Sequence, residues 1–116
     1  MEFRASHRYA HISAKKARPA ADLIRGLGVN SALEVLRVNQ TRGAAMFRKV
    51  LASAIANAAQ SDAVDVNNLI VREARVDEGP LIHGRPRFRP GAMGRAMPIR
   101  RRTAHLKLTV AELEDN

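Results

Sequence analysis

Apolar residues between positions 13 and 60 recur at the three- to four-residue spacing of amphipathic helices. In the first such stretch the spaced residues are small or aliphatic: Ala17, Ala20, Ala21 and Ile24. Ser13 stands at the N-cap position of this helix, and Gly26 and Gly28 stand where a C-cap glycine would end it. A proline inside a helix loses a backbone hydrogen bond and clashes with the preceding turn, so Pro19 predicts either a kink or a helix that begins near Arg18.

The same spacing predicts two further helices. The second covers the short run SALEVLRV, with Asn30 or Ser31 as its cap. Its inward-facing residues are Ala32, Leu33 and Leu36. The third and longest helix opens at Thr41 and runs from about residue 42 to residue 60. Its apolar stripe consists of Phe47, Val50, Leu51, Ala54 and Ala58, with Ile55 beside it.

Alternating apolar and polar residues predict strands before and after these helices. Residues 3–11 alternate loosely, as an edge strand does. From residue 69 onward, one side of the predicted strand carries Ile70, Arg72, Ala74 and Val76, and the other carries Leu69, Val71, Glu73 and Arg75. Near the C-terminus the alternating apolar residues are Leu106, Leu108 and Val110. The pattern predicts an α+β fold in which helices cover one face of a small antiparallel sheet.

The two later runs flank a segment rich in turn residues, and together they predict a long β-hairpin. Between positions 79 and 98 lie four of the five prolines and four of the seven glycines: Pro80, Pro86, Pro90, Pro98, Gly79, Gly84, Gly91 and Gly94. If Val76 to Gly91 is one leg, about 15 residues at roughly 3.3 Å each reach about 50 Å, whereas a domain of this size has a radius of gyration near 13 Å. We therefore expect one domain over residues 1–116 with a hairpin arm at about 77–105. The alternative is a basic loop without fixed structure.

Positive charge is concentrated in the same segment. Between Glu78 and Glu112 there is no acidic residue, and eight basic residues give this segment +8 of the formal +9 of the chain. They are Arg85, Arg87, Arg89, Arg95, Arg100, Arg101, Arg102 and Lys107. Such a segment repels itself unless an anion is present, and a polyphosphate backbone is the natural anion.

The sequence offers little for catalysis, metal binding or membranes. His7 and His11 have no carboxylate at ligand spacing, the serines lack a neighbouring base, and the acids are too scattered to hold a metal. The chain has no cysteine, no apolar run long enough to span a bilayer and no apolar signal-peptide core. We expect a soluble intracellular protein with no enzyme activity, metal, cofactor or membrane insertion.

Binding to nucleic acid is the remaining interpretation. Arginine presents a flat charged fork to phosphates and bases, and Phe88 among Arg85, Arg87 and Arg89 suits stacking on an unpaired base. A second basic cluster, Arg4, His7, Arg8 and His11, lies in the first strand. Lys15, Lys16 and Arg18 at the start of the first helix are a candidate contact on the body of the domain. The plainer alternatives are an isolated exposed aromatic ring for Phe88 and a solvated helix face for the lysines.

Several segments in order resemble the bacterial large-subunit ribosomal protein uL22 family over about residues 5–110. They are HRYAHISAKKAR, ADLIRG, KVLASAIANA, VDEGP, PGAMGRA and RRRTAHLKLTV. The resemblance implies helices on a three-stranded antiparallel sheet with a long protruding hairpin. It also implies binding to large-subunit ribosomal RNA beside neighbouring ribosomal proteins, a part in early assembly, and a hairpin in the wall of the nascent-peptide exit tunnel of cytoplasmic ribosomes.

Carried over to this chain, the resemblance assigns roles along the hairpin. The tip nearest the tunnel lumen and the nascent peptide would be Gly91, Ala92, Met93, Gly94 and Arg95. The returning strand would place Arg100, Arg101, Arg102 and His105 against RNA. Two other hypotheses rest on the same charge: a free-standing architectural module that binds nucleic acid, and an RNA-processing enzyme.

Overall fold

The computed structural model describes residues 2–61, 63–81, 87–90, 96–99 and 102–112. The first strand is β1 (Glu2–Ala10). Three helices follow it: α1 (Ala14–Ile24), α2 (Val29–Val38) and α3 (Arg42–Ala59). After a short 3₁₀ turn at Val66–Asn68 come four strands: β2 (Leu69–Leu81), β3 (Arg87–Pro90), β4 (Ala96–Ile99) and β5 (Arg102–Glu112). The predicted α+β class with three helices is confirmed.

The sheet has three antiparallel strands in the order β1-β5-β2, as the family resemblance implies. β5 is central, and β1 is an edge strand as predicted, pairing from Glu2↔Ala111 to Ala10↔Ala104. Strands β3 and β4 form a second antiparallel ladder that includes Arg87↔Ile99. Because this ladder follows the last β2–β5 pair, Leu81↔Arg102, the strand pairing is that of a long hairpin.

The core lies between the helices and one face of this sheet. Its largest fully buried side chains are Phe47, Ile24, Leu36, Leu51, Leu69, Leu106 and Leu108. The predicted stripe of α3 is buried along its length, while Ile55 is only partly buried against it. Alanines cover the buried face of α1, so that this helix approaches its neighbours closely.

The prediction of which β2 side chains share a face of the sheet was wrong. Leu69 and Val71 are buried, but so are Ala74 and Val76, which a regular strand would place on the opposite face. The register moves by one residue between the pairs Val71↔Val110 and Glu73↔Thr109. This β-bulge inserts one extra residue and turns the later half of the strand, so that both apolar pairs meet the helices.

The predicted N-caps hold for α1 and α3, and the N-cap of α2 differs. α3 has Thr41 as its N-cap, as predicted, and ends one residue before the expected Gln60. α1 begins at Ala14, not near Arg18, with Pro19 inside it, because Ser13 caps the helix and Ala14 and Ala17 are buried from its first turn. Pro19 has no backbone N–H, so it donates no hydrogen bond inside the helix.

α2 begins at Val29 with Gly28 as its N-cap, so the predicted caps Asn30 and Ser31 were wrong. Gly28 forms an antiparallel bridge with Ile70, and the Val71 amide donates to the Leu27 carbonyl at 2.8 Å. The start of α2 is therefore fixed by pairing with β2. Between the two helices Gly26 has a φ of 85°, the left-handed conformation expected after a helix C-terminus.

The molecule is elongated. Its principal extents are 66 × 25 × 21 Å, and its radius of gyration is 17.5 Å, against about 13 Å for a compact chain of this length. The longest dimension is more than twice either of the others.

Candidate nucleic-acid interface

A groove lies where the first turns of α1 meet the base of the hairpin. It has a volume of about 530 Å³, and its lining includes Lys15, Arg18 and Arg102. These residues come from two segments far apart in sequence, and all three were predicted to contact nucleic acid. Glu78 also lines the groove, so the four charged side chains sum to +2.

The local sequence explains why the α1 cations point outward. Ser13 accepts a hydrogen bond from the Lys16 backbone amide at 3.4 Å and starts the helix. The alanines at helical spacing are buried against the rest of the domain, so Lys15, Lys16 and Arg18 fall on the exposed face. The first turn of α1 contains no acidic residue, although a helix N-terminus favours negative charge.

The N-terminus of α3 lies beside that of α1. A Cβ on Gly43 would stand 3.2 Å from both the Ala17 Cα and the Lys16 carbonyl oxygen, so the two helices are in close contact at their first turns. The first turn of α3 also lacks an acidic residue and begins with Arg42. The positive N-terminal ends of α1 and α3 therefore lie together, with the cations of both helices around them. Arg42 was not among the contacts predicted from the sequence.

Within the described part of the chain, the cations divide into two groups. Those with a carboxylate within 4.0 Å are Arg4, Arg25, Arg37, Arg72, Arg75 and Lys107. Those with a described side chain and no such carboxylate are Arg8, Lys15, Lys16, Arg18, Arg42, Arg48, Lys49 and Arg102. Every cation of the groove, and Arg42 beside it, belongs to the second group.

Paired charges occupy the sheet face opposite the helices. Asp77 lies 3.1 Å from Lys107 Nζ and 3.6 Å from Arg75 Nε, and Glu2 lies 2.8 Å from Arg72. The hydrogen bond from Lys107 holds the pKa of the Asp77 carboxyl below its usual range, and Arg75 adds to the effect. Asp77 thus balances nearby cations, and Lys107 is not a free charge on the hairpin.

The predicted cluster in β1 is exposed, and it adjoins His105. Arg4, His7 and Arg8 are all exposed on the strand, as is His11 after it. Arg4 has only a long 3.8 Å contact to Glu2, with its side chain 80% exposed. His105 has a structural contact, because its Nδ1 accepts a hydrogen bond from the Tyr9 backbone amide at 3.0 Å.

Other predicted site residues fall on parts of the hairpin for which side chains are not described. Arg87, Phe88 and Arg89 belong to β3, where the backbone is described. The remaining predicted contacts lie outside the described residues: Arg85, Arg95, Arg100, Arg101 and the tip residues Gly91, Ala92, Met93 and Gly94. Their roles stay predictions.

The chain matches the family described as "Ribosomal protein L22p/L17e" over residues 5–111. A protein of Desulfotalea psychrophila (strain LSv54 / DSM 12343), named "Large ribosomal subunit protein uL22", is 46% identical to it over 112 residues, which cover 97% of this chain and 99% of that protein. The chain belongs to the ribosomal protein L22p/L17e family. As a member of this family it is a structural constituent of the large ribosomal subunit and takes part in translation.

Neither a membrane-spanning helix nor a metal-binding cluster of side chains occurs among the described residues. No helix among them has the length and apolar character needed to cross a bilayer. No group of three or more histidine, aspartate or glutamate side chains within the described ranges is placed to hold a metal ion.

Proposed function

We propose that this protein binds large-subunit ribosomal RNA through the groove, through the cations around it and through the arginines of the hairpin. The protein acts structurally, without catalysis or cofactor, and supports early assembly of the subunit beside neighbouring ribosomal proteins. The single observation that carries the proposal is the division of the cations. The cations that line the groove have no carboxylate partner among the described residues, whereas Arg72, Arg75 and Lys107 on the outer sheet face have one.

An unpaired cation is free to bind phosphate, and a paired one must first break its ion pair. Lys15 and Arg18 also stand on the first turns of α1, where the helix dipole adds to their positive potential. Folding brings these like charges together with Arg102 at a cost in repulsion. A phosphate backbone lying along the groove removes that repulsion and makes binding favourable.

The hairpin extends the interface beyond the groove. We propose that residues 77–105 form an arm whose arginines contact RNA on both legs, and whose tip, Gly91 to Arg95, lies in the wall of the nascent-peptide exit tunnel. The elongated shape, 66 Å in its longest dimension, supports this proposal, as does family membership. An arm of roughly 30 residues with few apolar side chains gains most of its contacts from surrounding RNA.

The test compares two double variants that remove the same charge. Lys15→Gln with Arg18→Gln changes the groove, and Arg37→Gln with Arg72→Gln changes two cations that have carboxylate partners. Each phosphate contact contributes about 0.7–0.9 to the slope of log affinity against log salt. We expect the groove variant to lower the slope for deproteinised large-subunit ribosomal RNA by about 1.5, and the control to leave it within about 0.5.

Equal slopes for the two variants would refute the role of the groove. The same measurement on duplex DNA separates this function from that of a free-standing architectural module, which would bind both polymers equally at matched salt. Quantitative mass spectrometry of large subunits gives the cellular counterpart. Arg100→Ala, Arg101→Ala and Arg102→Ala together should impair incorporation more than Lys49→Ala does, and equal incorporation would contradict the proposed role of the arm.

A further inference from the structure

Tyr9 has an unusual backbone and an exposed ring. Its φ is 57°, and it alone among the described non-glycine residues has a positive φ. The pairing of β1 with β5 shifts between His7 and Ala10, so Tyr9 lies in an irregular part of the strand. The residue is 52% exposed, so the unusual backbone conformation does not serve to bury the ring. Such a conformation is unfavourable for a bulky residue and occurs often at functional sites.

Contacts from β5 hold this conformation in place. The Tyr9 backbone amide donates to His105 Nδ1 at 3.0 Å. The phenol and imidazole rings meet at right angles, with an interplanar angle of 89° and centroids 4.7 Å apart. The backbone is thus tied to the central strand, while the ring projects toward solvent at the base of the hairpin.

The charges around the ring favour a polyanion. The Arg8 guanidinium lies over the Tyr9 ring, 5.5 Å from its centroid, and Arg8 has no carboxylate partner among the described residues. Asp77 is the cross-strand partner of His105, but Lys107 and Arg75 already engage it. A ligand that combines phosphate with a flat aromatic ring matches these surroundings.

We propose that Tyr9, with Arg8 and His105, forms a stacking site for one unpaired RNA base. This inference rests on the proposed function and adds to it a contact that does not depend on phosphate. The tyrosine ring stacks on the face of the base, and His105 fixes the ring. The base takes the place of Arg8 over the ring, and Arg8 binds its phosphate. Stacking of this kind accepts any base, because every base has a π face.

The site lies close to the groove at the base of the hairpin. In β5, Leu106 and Leu108 are buried toward the helices, and His105 alternates with them toward the other face. Gly79 links the two regions, because it lines the groove and a Cβ on it would lie 3.4 Å from the His105 imidazole. RNA that contacts both regions would therefore follow the base of the hairpin from the groove to the Tyr9 ring.

The experiment uses an unpaired twelve-nucleotide RNA and a chain of the same number of phosphates with stable abasic spacers in place of bases. We expect Tyr9→Leu to weaken binding of the RNA about tenfold and to leave the abasic chain within twofold. Tyr9→Phe keeps the ring and should retain binding. Leu23→Ala removes another exposed apolar side chain and should change neither affinity.

A second measurement uses the unaltered sequence, so it does not require a substituted protein to fold. Tyr9 is the single tyrosine of the chain, so 3-fluorotyrosine gives one fluorine resonance in the otherwise unchanged protein. RNA should shift this resonance at saturation, and the abasic chain should shift it much less. Equal weakening of both ligands by Tyr9→Leu, or an unshifted resonance in the RNA-bound protein, would overturn the stacking site. Failure of the unaltered protein to bind either ligand would instead overturn the proposed function.

Discussion

Gly79 lies where the three-stranded sheet narrows to the two strands of the hairpin. Ala104 of β5 pairs with Glu78 of β2 on one side and with Ala10 of β1 on the other, and this is the last position at which all three strands are paired. A Cβ added to Gly79 would stand 2.5 Å from Thr103 Oγ1. Thr103 is only 5% exposed, and its hydroxyl donates to the Pro80 carbonyl. Gly79→Ala must therefore displace Thr103 or separate the strands.

The cost can be worked from this contact. Real Cβ contacts essentially never fall below 3.0 Å. The distance of 2.5 Å between the added Cβ and Thr103 Oγ1 must therefore increase by at least about 0.5 Å. Overpacking of this size costs about 1–3 kcal/mol, and loss of the Thr103 hydrogen bond adds about 1 kcal/mol. The smaller entropy of the unfolded alanine chain offsets about 0.4–1 kcal/mol. We expect Gly79→Ala to lower the free energy of unfolding by about 1–3.5 kcal/mol.

Urea denaturation followed by circular dichroism measures this change. In a double-mutant cycle, Thr103→Ala removes the obstructing hydroxyl, so Gly79→Ala should cost at least about 1 kcal/mol less in that background. Gly28→Ala is the steric control, because the nearest atom to its Cβ would be the Leu69 carbonyl oxygen at 3.9 Å. Since Gly28 is the N-cap of α2, this change should cost only the weaker capping by alanine. A Gly79→Ala protein within about 0.3 kcal/mol of the unaltered one, or additive effects in the cycle, would refute the reasoning.

Three further predictions concern stability. Phe47→Ala removes the largest fully buried side chain and should cost about 3–5 kcal/mol in urea denaturation; a loss below about 1 kcal/mol would contradict its place at the centre of the core. Asp77→Asn removes a carboxylate whose pKa is lowered chiefly by Lys107. Because the native pKa is lowered, this pair stabilises the protein above the usual carboxyl pKa, and the effect is lost as the pH falls through the lowered value. The variant should be less stable by under about 1 kcal/mol at neutral pH, since the pair is exposed and screened, and the difference should vanish in acid; a difference that grows in acid would reverse the sign. Ser13→Ala removes the hydroxyl that accepts from the Lys16 amide and should lower the thermal midpoint by the equivalent of about 0.5–2 kcal/mol, whereas an unchanged midpoint would show that the cap contributes nothing.

The sequence by itself determined most of the architecture. The helical spacing of apolar residues in α3 needs only the local geometry of one helix, so its cap at Thr41 and its buried stripe could be predicted. The cationic character of the arm is likewise a property of composition. Lys15, Arg18 and Arg102 were each predicted as contacts, because their charge and their predicted exposure are local features.

Only the tertiary structure decided the features that depend on pairing between distant segments. The bulge at Arg72 reverses the facing of β2 because the sheet register must bring both apolar pairs to the core. The start of α2 is set by the β-bridge from Gly28 to β2. The left-handed backbone of Tyr9 is held by a hydrogen bond to His105, a residue 96 positions away. Which cations are neutralised and which remain free to bind phosphate depends in the same way on which carboxylates the fold brings within reach. A linear sequence gives the number of charges, and only the packed sheet gives the distances between them.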